Sequence, residues 1–502
     1  MQKKQTILVV ASLLVVVLSV TLAYFTAQII GKGKDVSVSS ADLKIIFTDS
    51  DGAISGSNIE PGWSDTKTFT VENNSKSEYK YNIVIKDLLN TFVTEGYLQY
   101  KITSTNGGYN MTEFKDVPKS SVATDTILAY SVVIPNGVTQ SYTIEFKYAN
   151  DESVDQSDDM GRKLSGTLFI TEGTEDPNKT LYKQLLADKS TVLTRTDFSK
   201  VLTDNNTNTL YTSTEDSKTV YYFAGNATDN WVKFGKNASN QDLYWRIIRT
   251  NSDGGVRLLY HGTSTTATDA YIGTSTFNTT YNNSMYVGYM YGTSGAQASN
   301  RTNENSSTIK TAIDNWYVSN LEAKGYTKYL STTAVYCNDR EVGSGTYSAT
   351  GSAFYYAAYA RLNTNKTPTY DCTNINDKFT VDTSTGNGKL TYPIALMTAD
   401  EISYAGGLYG TNAPTWYYYN SANGSSTGST WWWLLSPFFW NGSYANVFNV
   451  NGSSNPGYLF SSYVSNAIGV RPAISLKSCI KYSTGNGSAS DPYTIKETTS
   501  GC

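Results

Sequence analysis

The side chains best suited to acid–base chemistry are one histidine, His261, and the carboxylates Asp339, Glu341, Asp371, Asp400 and Glu401. Glycoside hydrolysis generally needs two carboxyl groups about 5–10 Å apart on either side of the sugar. The long aromatic segment that could hold a sugar, Trp431–Leu476, contains no carboxylate. Asp400 and Glu401 suit the first turn of a helix, where the macrodipole favours negative charge. A nucleophilic triad needs a histidine, and His261 directly follows an apolar run, as a strand-end residue would. Neither a metal site nor a cofactor site is expected from so few potential ligands.

Binding chemistry has more to work with. Trp431–Leu476 reads WWWLLSPFFWNGSYANVFNVNGSSNPGYLFSSYVSNAIGVRPAISL, and no Asp, Glu, Lys, Arg or His lies between Tyr404 and Val470. Aromatic residues interleaved with Asn, Ser and Gly make up antibody paratopes, where rings give rigid contact area and small polar groups give adaptable hydrogen bonds. The residues expected to face a ligand are Phe438, Phe439, Trp440, Tyr444, Asn446, Asn449, Asn455, Tyr458, Phe460, Tyr463, Asn466 and Ile468. Trp431, Trp432 and Trp433 are expected to point inward as a platform. Val470, Ile474 and Leu476 alternate like a half-buried strand.

Composition frames these readings. The chain has 502 residues, a net charge of −4 and only 16% charged residues, so no basic field exists to hold nucleic acid. Forty tyrosines with abundant Asn, Ser, Thr and Gly suit strands joined by polar loops outside a cell. Lys3 and Lys4 precede an uncharged, mainly apolar run from Ile7 to Val20, followed by the small residues Thr21 and Ala23. This is the pattern of a secretory signal over 1–23, with cleavage expected near Tyr24. An uncleaved anchor is the alternative, and membrane contact is expected only through this segment.

Residues 36–174 read as short alternating runs: Leu43–Phe47, Thr68–Val71, Tyr81–Ile85, Leu98–Ile102, Ala129–Val133, Tyr142–Phe146 and Gly166–Ile170. Gly, Pro, Asn and Asp separate them, which predicts a β-sandwich. Acidic residues gather at its end, among them Asp151, Asp155 and Asp159. A solvated surface is the plain reading and calcium binding the alternative.

Residues 175–219 are expected to be a linker with a short helix, since Pro177 is followed by Leu181, Tyr182, Leu185 and Leu186. The second domain is expected over 220–478, with a tail strand over 479–502. Two apolar runs flank Asp253-Gly254, a hairpin signal. Ile309, Ile313, Trp316, Tyr317 and Leu321 recur with helical spacing between a Ser cap and Gly325. Thr398-Ala399-Asp400-Glu401 is a capping box, and its helix should stop at Gly406-Gly407. The fold class expected is mainly β, with an α+β second domain.

Several stretches resemble known families. The words TLAYFT (Thr21–Thr26), ADLKI and IEPGWSDTKTFTVENNSKSEYKYNIVI (Ile59–Ile85) resemble the TasA/camelysin group of exported Gram-positive matrix and surface proteins. That resemblance implies a jelly-roll-like sandwich used for display or assembly. In the second domain, AGNATDNWVKFG, YWRIIRTNSDGGVRLLY, YLSTTAVYCNDREVGSGTY, KLTYPIALMTADEISYAGG, the WWW segment and GVRPAISLKSC resemble a bacterial surface domain of unknown function found in Firmicutes. A hairpin, two helices and a long aromatic excursion fit the C-type-lectin-like fold. The WW…SP…GVRPAISL end is similar to the variable ends of diversity-generating-retroelement target proteins. Arg471 in GVRP resembles the Gly-Phe-Arg turn of formylglycine-generating-enzyme-like lectin folds and is expected to be structural.

Four cysteines in an exported chain are expected to pair. Sequence leaves three connectivities open, and proximity favours Cys337–Cys372 with Cys479–Cys502. A formylglycine-type enzyme would need active-site cysteines, yet none lies between Cys372 and Cys479. The function expected is therefore an adhesin-like binding protein, secreted or on the cell surface of a Gram-positive-type bacterium. Its partner would be a protein or glycan on a cell, phage or host surface. A structural matrix or fibre subunit is the alternative, with a surface hydrolase or a formylglycine-generating-type enzyme after it.

Overall fold

The computed structural model describes residues 59–502 except 112, 268–269, 414–430, 453–454 and 456, together with the strands Val36–Val38, Ala41–Phe47 and Ala53–Ser55. The signal segment expected over 1–23 lies outside the described residues. Among the described residues, no helix is long and apolar enough to cross a membrane. The chain is mainly β and divides into two compact units, Met1–Pro177 and Asn178–Cys502.

In the first unit, alternation sets which side chains go inward. Along Ser64–Asn73, Phe69, Val71 and Asn73 are buried while Ser64 and Thr66 are exposed, as one solvated face of a strand requires. Six strands order as Val36–Val38, Ala41–Phe47, Ser64–Asn73, Thr139–Tyr148, Leu98–Ser104 and Lys115–Asp116. A second sheet of four orders as Ala53–Ser55, Leu164–Glu172, Tyr79–Asn90 and Ser120–Ile134. One buried cluster draws on both sheets, with Phe69, Val71, Ile102 and Ile144 from the first and Ile83, Ile85, Leu168 and Ile170 from the second. Buried polar groups in it are paired: Tyr81 and Tyr142 share a hydroxyl contact of 2.6 Å, and Asn73 Nδ2 donates to the Ile134 carbonyl at 3.1 Å. In the acidic stretch, Asp159 is buried and accepts from Val93 N at 2.6 Å and Tyr148 Oη at 2.8 Å. Asp151 and Asp155 close local turns on Ser153 and Ser157.

The second unit starts earlier than the sequence suggests. Residues 175–219 are not a linker: α1 (Leu181–Asp188) and the strands Thr191–Thr194 and Thr209–Glu215 belong to this unit. Thr180 caps α1 through Lys183 N, and Leu181 and Leu185 are fully buried. The tail is likewise built in, because Tyr493–Ile495 pairs in parallel with Trp231–Lys236. Leu181 N donates to the Ile480 carbonyl and Tyr482 N to the Lys179 carbonyl, both at 2.8 Å.

A ten-stranded sheet forms the base. Its hairpin joins β1 (Asp242–Thr250) to β2 (Val256–Gly262) across Gly254, which turns at φ 81°. The helix α2 (Thr308–Tyr317) is capped by Ser307 and buries Ile309, Ile313 and Tyr317. The helix α3 (Ala399–Ala405) begins with the Thr398–Glu401 capping box and ends at Gly406, φ 117°. A Cβ on Gly406 would lie 2.5 Å from the Leu202 carbonyl oxygen, so both the turn and the close approach call for glycine.

A seven-stranded sheet carries the aromatic segment. It contains β3 (Phe354–Tyr356), β4 (Trp432–Trp440), β5 (Ala445–Val450) and β6 (Leu459–Tyr463). β3 pairs with β4, β4 with β5 and β5 with β6, all antiparallel. The strand β7 (Pro472–Leu476) pairs with β2 in the base sheet. Cysteines pair as Cys337–Cys372 and Cys479–Cys502.

Candidate functional site

The strand β4 is buried along nearly its whole length, because it is paired on both edges and its sheet adjoins the main core. This fixes where each expected ligand residue goes. Trp432 and Trp433 are fully buried, and Trp433 Nε1 donates to the Ser275 carbonyl at 2.9 Å. Trp431 is half-buried.

Four of the residues expected on the ligand face are interior instead. Trp440 is 0% exposed and packs in the core, its Nε1 donating to the Gly351 carbonyl at 3.3 Å. Asn449 is also fully buried and donates to Ser462 Oγ at 2.6 Å. Phe438 and Asn446 are buried as well. Phe438 packs edge-on against Phe448 at 4.9 Å, and Asn446 Nδ2 donates to the Tyr444 carbonyl. Ile468 is partly buried against the core, which leaves little of it for a ligand.

The remaining residues reach the surface. Tyr444 and Tyr463 are 37% and 42% exposed, Asn466 is exposed, and Phe439, Asn455, Tyr458 and Phe460 are half-exposed. The rings do not stand alone. Tyr444 stacks on Tyr281 at 4.8 Å and packs at a tilt of 37° against Tyr463 at 4.8 Å, and Tyr281 is itself 38% exposed. Phe439 stacks on Tyr355 at 4.3 Å, and Tyr355 on Tyr359 at 4.1 Å. Tyr409 stacks between Phe438 at 5.6 Å and Phe460 at 5.9 Å, with Tyr458 at 5.4 Å from Phe460. Burial among these rings pushes the Tyr409 hydroxyl up to about 12.

Three ring stacks thus emerge on the aromatic sheet, and each joins rings of β4–β6 or their turns to tyrosines from elsewhere. Tyr281, Tyr355, Tyr359 and Tyr409 were not foreseen. Tyr355 and Tyr359 sit four apart in FYYAAYA, a spacing that can place two rings side by side where a strand passes into a helical turn. Tyr281 and Tyr409 carry no comparable local signal.

Beneath the sheet lies a second cluster, made of charges. Glu401 Oε1 accepts from Arg249 Nε at 3.0 Å and Arg257 Nη1 at 2.9 Å, and Arg249 also reaches Glu215 at 2.7 Å. Burial alone would raise the Glu401 carboxyl, but Arg257 and Arg249 beside it hold it below the ordinary glutamate range. Arg361 grips Asp400 with two bonds of 2.8 Å and Asp339 with one of 2.9 Å. Burial raises the Asp339 carboxyl despite that guanidinium. The cavity these groups line holds about 20 Å³, room for a water rather than a substrate. Glu215, Glu401, Asp400 and Asp339 are each paired with a guanidinium, and Asp371, which also lines the cavity, accepts from Asp216 N at 2.8 Å, so the cluster acts as a frame that fixes α3 against its neighbours.

His261 is fully buried, edge-on to Trp231 at 4.5 Å. Arg471 is buried too; its Nε and Nη2 donate to the Tyr260 carbonyl at 3.2 and 3.1 Å, and it lies over the Trp432 ring at 4.8 Å. It ties β7 to β2 and the first buried tryptophan of β4.

No family model matches the chain, and no curated protein does. Among solved structures, a ruminal GH26 endo-beta-1,4-mannanase is similar at 14% identity and a TM-score of 0.16. The likeness covers 29% of each chain, and it bears on neither fold nor function.

Proposed function

We propose that this is an exported, adhesin-like binding protein whose second unit presents the stacked aromatic face to a ligand on a cell surface. The observation that carries the reading is the exposed ladder Tyr281–Tyr444–Tyr463, three large rings held in contact at the surface. Exposed aromatic side chains pre-stacked on one another lose little conformational freedom on binding, which favours affinity. In this reading the first unit is a TasA-like, jelly-roll-like sandwich, and its two sheets around one core support that. The second unit is a C-type-lectin-like domain, supported by the capped helices α2 and α3 and by the aromatic excursion that joins the base sheet in one core. Two disulfides support maturation outside the cytoplasm.

Titrating the fluorescently labelled chain onto fixed bacterial and epithelial cells tests the reading. Saturable attachment should disappear in the double variant Tyr444→Ala/Tyr463→Ala. Attachment that survives in this variant, or none to any surface, sinks it.

A further inference from the structure

Resting on that reading, we infer that the face takes an uncharged saccharide chain laid across the strands. Four strands bring one residue each into a single register row. Tyr355 of β3 pairs with Phe439 of β4, Phe439 with Asn446 of β5, and Asn446 with Tyr463 of β6. Residues paired in register share a face of the sheet, so the row presents the rings of Tyr355, Phe439 and Tyr463, while Asn446 between them is buried with its Nδ2 donating to the Tyr444 carbonyl. Three strand steps span about 15 Å, the length of a short oligosaccharide rather than of a single sugar.

The chemistry of the row matches both sides of a pyranose. Its aromatic rings offer flat apolar area for the C–H face of a sugar, and the tyrosines end in a hydroxyl. Tyr444, tilted against Tyr463, and Tyr281, stacked on Tyr444, extend the row beyond Tyr463. Asn466 is exposed just past the end of β6 and adds an amide for sugar hydroxyls.

Charge decides between neutral and acidic saccharides. The sequence from Tyr404 to Val470 holds no ionisable Asp, Glu, Lys, Arg or His. The turn that carries Tyr359 continues to Arg361, but its guanidinium is committed to Asp400 and Asp339. Among the described residues the row itself offers no cation, so a sugar carboxylate or sulfate would shed water there with none in the row to replace it, which is costly. A protein ligand fits less well. Protein hot spots centre on side chains seated in pockets, whereas Phe439 and Tyr355 already lie at 4.3 Å and leave no slot between them.

Calorimetric titration of the full chain tests this, using neutral gluco-, manno- and galacto-oligosaccharides of increasing length and acidic oligogalacturonides at low and high salt. The expected result is binding of a neutral series, strengthening up to about four units and unchanged by salt. Phe439→Ala and Tyr463→Ala should each weaken it about tenfold, and Tyr463→Phe should keep most of it. Each variant's melting temperature is measured alongside; Tyr463, on an exposed edge, covers the case in which Phe439→Ala fails to fold. Salt-sensitive binding of the acidic series alone overturns the inference, as does binding of no saccharide. If no saccharide binds while Tyr444→Ala/Tyr463→Ala still abolishes cell attachment, the saccharide falls and the binding face stands. If attachment is intact in that variant, the face falls with it.

Discussion

Tyr281 and Tyr444 stack with ring centres 4.8 Å apart and planes 11° from parallel, although they come from loops far apart in the chain. Asn441 Oδ1 fixes the turn under Tyr444 by accepting from Tyr444 N at 2.6 Å. Each ring packs against the other, and Tyr463 completes the ladder. A surface built this way should separate binding from stability residue by residue.

Trp440 and Tyr444 provide the sharpest contrast. Trp440→Ala removes a fully buried ring and should cost about 3–5 kcal/mol in denaturant unfolding. Tyr444→Ala should change stability by no more than about 0.5–1 kcal/mol. Cell attachment should show the reverse order among variants that fold.

Tyr281→Ala should weaken attachment as much as Tyr444→Ala, by about 1–2 kcal/mol, although it lies outside the aromatic segment. An unaffected Tyr281→Ala would mean that the ligand engages β4–β6 without the ladder.

Glu401 should dominate the acid response. Its folded pKa lies below the ordinary glutamate value of 4.5, and that of Glu215 is likewise lowered, with burial opposed by Arg249. Their contribution is therefore present above about pH 4.5 and lost as pH falls through the folded values. Asp339 works in the opposite sense, since its raised pKa favours the protonated fold and its ionisation at higher pH costs stability. Unfolding midpoints measured from neutral pH to pH 3 should fall steeply below about 4.5. Glu401→Gln should flatten that fall and lower stability at pH 7 by about 3 kcal/mol, because two buried guanidinium groups lose their shared carboxylate.

Reduction should destabilise the second unit. The bridges Cys337–Cys372 and Cys479–Cys502 close sequence separations of 35 and 23 residues, each stabilising by roughly 3–4 kcal/mol in the chain-entropy account. Cys337→Ser/Cys372→Ser and Cys479→Ser/Cys502→Ser should each lower the melting temperature. Equal melting curves with and without reductant would show that the thiols are free in solution.

Local signals were legible and long-range ones were not. The capping box at Thr398 and Glu401 is written within four residues, and it appears at the start of α3 as the sequence implies. The alternating runs of the first unit all lie in strands for the same reason. Trp440 and Asn449 misled because polar neighbours made their segment read as surface. A strand paired on both edges inside a large core buries both faces, so alternation no longer reports exposure. The partners Tyr281 and Tyr409 reach the rings only through tertiary contacts, and no spacing within their own segments marks them. Residues 175–219 looked like a linker because their strands are short and polar, yet Thr191–Thr194 finds its mate in Thr209–Glu215.

The hydrogen bonds between Leu181 and Ile480 and between Tyr482 and Lys179 join the front of the second unit to its tail. Peeling residues 178–182 away would therefore unpin Ile480 and Tyr482 at the same moment, so the two edges of the unit are released together rather than one after the other.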